Sequence, residues 1–215
     1  LFEGINDQIM KLLYNVNLTL KDIYCIAISA PGPLDSNKGV IFETPNLLLM
    51  QNINIVQIMN NRYNIPVFLE NDANLFAFGE WYSTYKKSRI MIGITLGTGL
   101  GLGVVINKQL FTGSNGMGAE YGISPYKNGV WEDLISIEGL EKMIFKQMSK
   151  NLSPKELYHL ALDNNAQALN IWNLFGKELG LFTSHVINML DPSVISFGGG
   201  ISNAYSVFSE SLKNQ

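Results

Sequence analysis

The sequence predicts an α/β fold, because strand-like and helix-like segments alternate along it. Residues 23–30, 65–69 and 90–96 are apolar runs of strand length, and segments with helical periodicity lie between them. A further strand is predicted at residues 194–197, after a long helical segment. Open α/β sheets bind their ligands at the carboxyl ends of strands, so we expect the functional residues to lie at the strand ends.

The composition indicates a globular protein with a sizeable core. The chain has 215 residues, of which 47% are hydrophobic, and this length is typical of one or two domains. The formal net charge is −3, so the sequence provides no basic surface for nucleic acid. No apolar run approaches the roughly 18 residues that span a bilayer, and no secretory leader is visible. We therefore expect a soluble cytoplasmic protein with neither a nucleic-acid nor a membrane partner.

The cysteine and histidine residues indicate neither disulfides nor a metal site. Cys25, the single cysteine, lies in an apolar run and is predicted to be a buried thiol, which fits a reducing compartment. His159 and His185 are both predicted to lie on helices. Neither has another histidine or cysteine at ligand spacing, so both are predicted to be structural.

Residues 70–74 read Glu-Asn-Asp-Ala-Asn and follow the strand predicted at 65–69. Asn71 and Asp72 are therefore expected where that strand gives way to a helix predicted at 73–85. In one interpretation they form only an Asx turn or a helix cap. In the other, Asp72 is an isolated carboxylate beside a phosphate site, which indicates phosphoryl transfer.

Two glycine-rich turns follow predicted strands. Residues 97–103 carry glycine at every second position, and the exposed N–H groups of such a turn suit phosphate oxygens. The hydroxyls of Thr95 and Thr98 would add donors. The alternative is an ordinary hairpin or bulge. Residues 198–200 form a triple glycine, against which a flat ring such as adenine would fit.

The glycine-rich loop at residues 113–119 has acidic and aromatic neighbours that suit a sugar. Glu120 and Glu132 lie in or beside this loop, and Trp131, Tyr121 and Tyr126 are nearby. Carboxylates accept hydrogen bonds from vicinal hydroxyls, and aromatic rings cover the C–H face of a sugar. The alternative is that both acids are solvated surface residues.

Four motifs together resemble the ROK family of repressors, open reading frames and sugar kinases. They are Ala-Pro-Gly-Pro-Leu-Asp at residues 30–35, Glu-Asn-Asp-Ala-Asn at 70–74, Thr-Leu-Gly-Thr-Gly-Leu-Gly at 95–101 and Gly-Gly-Gly-Ile-Ser at 198–202. The resemblance extends over essentially the whole chain. It implies the actin-like (ribonuclease H-like) fold of hexokinases, in which two α/β domains close over sugar and ATP.

The resemblance implies that residues 1–72 belong to the smaller N-terminal domain and residues 73–215 to the larger C-terminal domain. The family's N-terminal Asp-x-Gly-Gly-Thr phosphate loop does not occur in this sequence. The sequence also stops at Gln215, before the closing helices that the fold leads us to expect. The resemblance therefore implies the middle portion of a family chain, with both ends missing.

The resemblance also implies a catalytic base and a set of sugar contacts. Asp72 corresponds to the base that takes the proton from the sugar hydroxyl attacking the γ-phosphate. A positioned general base accelerates such a step by about 10²- to 10⁴-fold. The residues that correspond to sugar contacts are Asn46, Asn71, Glu120 and Glu132, although sequence grounds alone favour a turn residue over a ligand contact for Asn46.

The nucleotide site is implied in the same way. Gly97, Thr98 and Gly99 correspond to the second phosphate loop of the family, and Gly199 and Gly200 correspond to the adenosine-binding turn. The cofactors that follow are ATP and Mg²⁺, because in-line positioning and charge neutralisation dominate phosphoryl transfer. Zinc is not expected, since the family's cysteine-rich motif is absent, and Ile123 stands where the family has a histidine.

The sequence therefore predicts an ATP-dependent kinase for a hexose or hexose derivative, glucokinase-like in reaction type. The alternative is a sugar-sensing ROK transcriptional regulator or a kinase-dead sugar-binding homologue. Asp72 and both glycine turns favour the enzyme, because a sensor needs only the hydroxyl contacts. A homodimer is common in the family, and the helical residues Trp172, Phe175 and Leu179 are predicted to be either core or interface.

Overall fold

The computed structural model describes residues 2–44 and 47–215, which form two compact units. One unit comprises Leu1–Asp72 and Gly113–Gly118, and the other comprises Ala73–Thr112 and Ala119–Gln215. The segment Gly113–Gly118 thus packs with the first unit. The resemblance implies instead that this segment belongs to the larger domain, residues 73–215. The segment packs with the first unit because glycine lets the backbone lie against β-structure, and a Cβ on Gly116 would lie 2.6 Å from the carbonyl oxygen of Leu34.

The described residues of the first unit form two small sheets and two α-helices. One sheet pairs its strands in parallel, with Ile26 opposite Val67 and Ala30 opposite Asn71, and the other is an antiparallel meander. In chain order the elements are α1 (Phe2–Asn15), β1 (Ile26–Ala30), β2 (Leu34–Asp35), β3 (Val40–Ile41), β4 (Ile53–Asn54), α2 (Ile55–Tyr63) and β5 (Val67–Asn71).

Local sequence signals explain where the elements of the first unit begin and end. The side chain of Asn54 accepts a hydrogen bond from the Gln57 N–H at 2.8 Å and caps the start of α2. The helix ends at Asn64, whose φ of 53° is left-handed. Cys25 precedes β1 and is half-buried, so the prediction of a buried strand thiol is wrong.

The second unit is built on a four-stranded mixed sheet covered by helices. Its strand order is β11-β6-β7-β8, with β11 parallel to β6 and the other pairs antiparallel. The remaining elements, in chain order, are α3 (Asp72–Ser83), β6 (Ile90–Leu96), β7 (Leu100–Ile106), β8 (Gln109–Leu110), β9 (Pro125–Tyr126), β10 (Gly129–Val130), α4 (Ile137–Met148), α5 (Pro154–Leu162), α6 (Ala166–Leu190), β11 (Val194–Gly198) and α7 (Tyr205–Lys213).

The core of the second unit lies between the sheet and helices α4 to α7. Trp172, Phe175 and Leu179 on α6 are fully buried within this chain and pack with Phe208 of α7. These three residues are therefore core residues, which resolves the alternative left by their helical spacing. No helix in the described part of the chain has both the length and the apolar character to cross a bilayer.

Helix α3 lies unusually close to the hairpin formed by β6 and β7. A Cβ on Gly103 would overlap the carbonyl oxygen of Ala73 and lie 2.7 Å from Ala77 Cβ, and a Cβ on Gly93 would lie 2.8 Å from the same Ala77 Cβ. A Cβ on Gly101 would also come close to Ala73. The later glycines of the 97–103 run are therefore strand residues that admit a helix, and only the first part of the run forms a turn.

This close packing generates a prediction about stability. Gly103→Ala should lower the free energy of unfolding by about 1–3 kcal/mol, because the new methyl group has no space against α3. Gly79→Ala is the matched control: Gly79 is exposed within α3, a Cβ there meets no described atom within 4 Å, and alanine should raise stability by about 0.5–1 kcal/mol. Urea denaturation measures both, and equal effects of the two variants would contradict the packing argument.

Candidate functional site

Asn71 and Asp72 lie at the junction between β5 and α3. Asn71 is the last residue of the strand rather than the first residue beyond it, and its backbone N–H donates to Glu70 Oε1 at 2.8 Å. Asp72 is the first residue of α3 and is exposed. An aspartate is favoured there because the N-terminus of a helix carries partial positive charge. Asn46, the remaining predicted contact from this half of the chain, lies outside the described residues.

The turn from Gly97 to Gly99 joins β6 to β7 and is held by its own backbone. The Gly97 N–H donates to the Gly99 carbonyl at 3.1 Å, and the Gly97 carbonyl accepts from the N–H of Ile137 at 2.8 Å. Ile137 is the first residue of α4, so the turn is joined to the start of that helix. Thr98 lies exposed at the tip. The turn is thus a hairpin connection, which was the alternative interpretation of these glycines. It presents backbone atoms and one hydroxyl group to its surroundings.

The second glycine turn lies beside the first. Gly198 pairs with Thr95 because β11 runs parallel to β6, so the turns that follow these strands share one edge of the sheet. Gly199 has a φ of 83° and a ψ of 173°, and a Cβ there would overlap the carbonyl oxygen of Leu96. By contrast, a Cβ on Gly97 or Gly200 would meet no described atom within 4 Å. Their backbone therefore borders open space on which a ligand can lie.

Glu132 lies directly against the first glycine turn. Its Oε2 accepts a hydrogen bond from the Leu100 N–H at 2.7 Å, and a Cβ on Gly99 would lie 2.5 Å from the same oxygen. Glu132 belongs to a short 3₁₀ turn, Trp131–Asp133, and is half-buried. The interpretation of Glu132 as a solvated surface acid is therefore wrong.

The segment that carries Glu120 packs close to the first glycine turn. Glu120 is half-buried and precedes the 3₁₀ turn Tyr121–Ile123. A Cβ on Gly122 would overlap the carbonyl oxygen of Leu100, so this turn packs on the start of β7. The segments that carry Glu120 and Glu132 thus meet at one residue, immediately after the first glycine turn.

The aromatic residues of this region form a cluster that packs against α6. Trp131 is 1% exposed and stacks on Tyr126 with ring centroids 3.5 Å apart and planes at 7°. It meets Phe182 and His185 edge-on at 5.5 Å and 5.6 Å, and Tyr121 lies 5.3 Å from Phe182. Trp131 is therefore buried against protein rather than available to cover a sugar, which corrects the sequence expectation. His185 belongs to this packing, which agrees with a structural role.

Polar contacts fasten the same cluster to α6. The hydroxyl of Tyr126 donates to Glu178 Oε2 at 3.0 Å, and Lys127 forms an ion pair with the other oxygen of Glu178. The hydrogen bond that Lys127 donates to this carboxylate raises the pKa of Lys127 above its usual value, and burial together with the same carboxylate raises the pKa of Tyr126. The hydroxyl of Tyr121 lies 3.1 Å from His185 Nδ1.

Some of these contacts leave only a weak trace in the sequence. Glu178, Phe182 and His185 recur at helical spacing on α6, which would have indicated one shared face. The bond from Leu100 to Glu132 joins residues 32 apart through a backbone N–H, and no residue type signals it. Ile123, which stands where the family has histidine, is 53% exposed. Within residues 2–44 and 47–215, no cluster of three or more His, Cys, Asp or Glu side chains is arranged to hold a metal ion.

Comparison with known proteins finds a single family over the whole chain. The family model described as ROK matches residues 1–215. The xylose repressor of Bacillus subtilis is 29% identical over 88% of this chain and 52% of the repressor. The glucokinase of Thermotoga maritima is 29% identical over 88% of this chain and 68% of that enzyme. The solved glucokinase of Parabacteroides distasonis superposes with a TM-score of 0.81 and 26% identity, over 89% of this chain and 60% of that chain.

The coverage is uneven between this chain and its relatives. The chain spans 52% of the length of the xylose repressor and 68% of the length of the Thermotoga glucokinase. Identity to the repressor and identity to the kinase are equal at 29%. Sequence similarity alone therefore does not separate a regulator from an enzyme.

The second glycine turn generates a prediction about backbone strain. Gly199→Ala should lower the free energy of unfolding by about 1–3 kcal/mol, because its φ and ψ lie in a region that is essentially restricted to glycine. Gly200→Ala should change that free energy by less than about 0.5 kcal/mol, because its Cβ enters open space. Thermal and urea unfolding of the two variants measure the difference. Equal loss in both would show that open space does not border Gly200.

Proposed function

Because this chain belongs to the ROK family, we propose that it acts in an ATP-dependent sugar kinase that transfers the γ-phosphate of ATP to a hydroxyl of a hexose or hexose derivative. Its fold is the actin-like α/β fold of the ROK sugar kinases. Xylose repressors are also among the relatives of this chain. We place the activity in the cytoplasm, where ATP is supplied.

The observation that carries this proposal is the adjacency of the two glycine turns. They follow neighbouring parallel strands, and the backbone of Gly97 and Gly200 borders open space. Backbone N–H groups in such turns bind phosphate oxygens, and close approach of a ring requires the absence of side chains. The Gly97 N–H is bonded to the Gly99 carbonyl, so we assign the donor role in the first turn to the N–H groups of Thr98 and Gly99. We assign Gly97, Thr98 and Gly99 to the phosphates and Gly199 and Gly200 to the adenosine.

Asp72 is the base in this proposal. Its carboxylate takes the proton from a sugar hydroxyl while that oxygen forms a bond to the γ-phosphorus, and the bond between the γ-phosphorus and the bridging oxygen breaks to release ADP. Mg²⁺ bound with ATP would neutralise charge on the phosphates, and such ions usually take most of their ligands from phosphates and water with one or two carboxylates. The side chain of Thr98 offers a further hydroxyl donor.

The sugar contacts in this proposal are Asn46, Asn71, Glu120 and Glu132. Since Oε2 of Glu132 is bound to Leu100, we assign Oε1 to a sugar hydroxyl. Carboxylates accept from hydroxyls more strongly than neutral groups do, so two acids suit a polyol. The exposed side chain of Ile123 supplies an apolar contact where a histidine would supply a polar one.

The second candidate is a sugar-sensing regulator. It is supported by sequence identity, because this chain is as similar to the xylose repressor as to the glucokinase. A sensor requires the hydroxyl contacts but neither Asp72 as a base nor a nucleotide turn that accepts ATP. The two candidates therefore differ in turnover rather than in sugar binding.

An ADP-release assay on the complete protein distinguishes the candidates. Glucose, mannose, N-acetylglucosamine and xylose, each supplied with Mg²⁺ and ATP, should include at least one sugar that is phosphorylated. Calorimetric titration with the same sugars gives their affinities independently. Sugar binding without ADP release for every member of the panel would favour the sensor over the kinase.

Replacement of the proposed base gives a sharper prediction. Asp72→Asn should lower kcat by about 10²- to 10⁴-fold, because the amide cannot accept the hydroxyl proton, while sugar affinity stays within a few-fold of the wild type. Asp163→Asn is the matched control, since Asp163 is an exposed aspartate at the end of α5 and kcat should not change. Wild-type turnover by Asp72→Asn would remove Asp72 from the mechanism.

A further inference from the structure

Leu100 is the point at which the acid-bearing segments meet the nucleotide turn. Its N–H donates to Glu132 Oε2 at 2.7 Å, and its carbonyl lies so close to Gly122 that a Cβ there would overlap it. Leu100 is also the first residue after the turn from Gly97 to Gly99, and its side chain is buried. A shift of Leu100 would therefore move the end of the turn.

Glu132 is held in a rigid setting. The preceding residue, Trp131, is almost fully buried and stacks on Tyr126. On the other side of the turn, the Gly97 carbonyl is bound to Ile137 at 2.8 Å, only five residues further along the chain than Glu132. The turn is thus held at both ends by one stretch of chain, once through a backbone bond and once through a carboxylate.

We propose that Glu132 is a positioning residue for the nucleotide turn and that it couples sugar binding to nucleotide binding. This inference rests on the proposed kinase function. One oxygen of its carboxylate holds the Leu100 N–H, and the other receives a sugar hydroxyl. A hydroxyl bound to Oε1 restrains rotation of the carboxylate, so Oε2 holds Leu100 more firmly and the turn is ordered before ATP arrives.

The coupling must act in both directions. If sugar raises the affinity for nucleotide, nucleotide raises the affinity for sugar by the same factor. Coupling of this kind is typically about 5- to 150-fold in affinity. A carboxylate that only contacts sugar would contribute to sugar affinity and leave this factor unchanged.

The structure offers two independent ways to disturb the contact. Glu132→Gln keeps the shape of the side chain and removes the charge, which weakens its bond to the Leu100 N–H. Gly99→Ala places a methyl group 2.5 Å from Oε2 and 3.3 Å from Cδ of Glu132, so it displaces the carboxylate from the other side. The methyl group at Gly99 points at Glu132, whereas a methyl group at Gly97 would enter open space.

The experiment is calorimetric titration of the complete protein with the ATP analogue AMPPNP and Mg²⁺, with and without saturating glucose or the best sugar of the panel. We expect sugar to lower the Kd for AMPPNP by about five-fold or more in the wild type. In Glu132→Gln and in Gly99→Ala this factor should fall to about one, and the double variant should be no worse than either single variant, because both act on one contact.

Asp133→Asn is the control for general loosening of the same turn. Asp133 Oδ2 accepts the Val130 N–H at 2.9 Å and lies next to Glu132 in the chain, but it holds a different part of the backbone. The coupling factor in Asp133→Asn should stay within about two-fold of the wild type. Thermal melts check that each variant is folded, and Gly99→Ala provides the test by itself if Glu132→Gln is not.

Two results would overturn the inference. If Glu132→Gln weakens sugar binding alone and keeps the wild-type coupling factor, Glu132 is a sugar contact without a positioning role, and the proposed kinase function stands. If the wild type phosphorylates a sugar but shows no coupling between sugar and AMPPNP, the inference fails in the same way. If the wild type binds neither ligand, the kinase function itself fails and the coupling role fails with it.

Discussion

The close approach of α3 to the β6–β7 hairpin is the constraint on which the second unit depends. Gly93 and Gly103 lack side chains, so Ala73 and Ala77 can lie directly against the strands. The turn from Gly97 to Gly99 joins the two strands against which this helix packs. The same packing holds the first turn of the helix that begins at Asp72.

Glycine serves two physical purposes in and around the two glycine turns of this chain. At Gly101 and Gly103 it admits a neighbouring helix, and any larger residue would overlap protein atoms. At Gly97 and Gly200 a side chain would meet no described atom, so the absence of a Cβ leaves backbone facing open space. Alanine at a glycine that packs against protein should therefore lower stability, whereas alanine at a glycine that faces open space should affect ligand binding instead.

The aromatic cluster of Trp131 and Tyr126 packs against α6 and does not form the sugar-binding surface that the sequence predicted. Trp131 and Tyr126 stack on one another, and Glu178 fastens them to α6 through hydrogen bonds and an ion pair. This arrangement places the segment that bears Glu132 on a rigid helix, and positioned groups act well only when their surroundings are fixed.

The sequence by itself determined the alternation of the main strands and helices and the motifs that identify the family, because periodicity and motif spacing are local. It also placed Asp72 at the start of a helix. Only the tertiary structure decided that the two glycine turns lie side by side, that Trp131 is buried, and that Glu132 holds the N–H of Leu100. The physical reason is that these contacts join residues far apart in the chain, through backbone groups that every residue type carries.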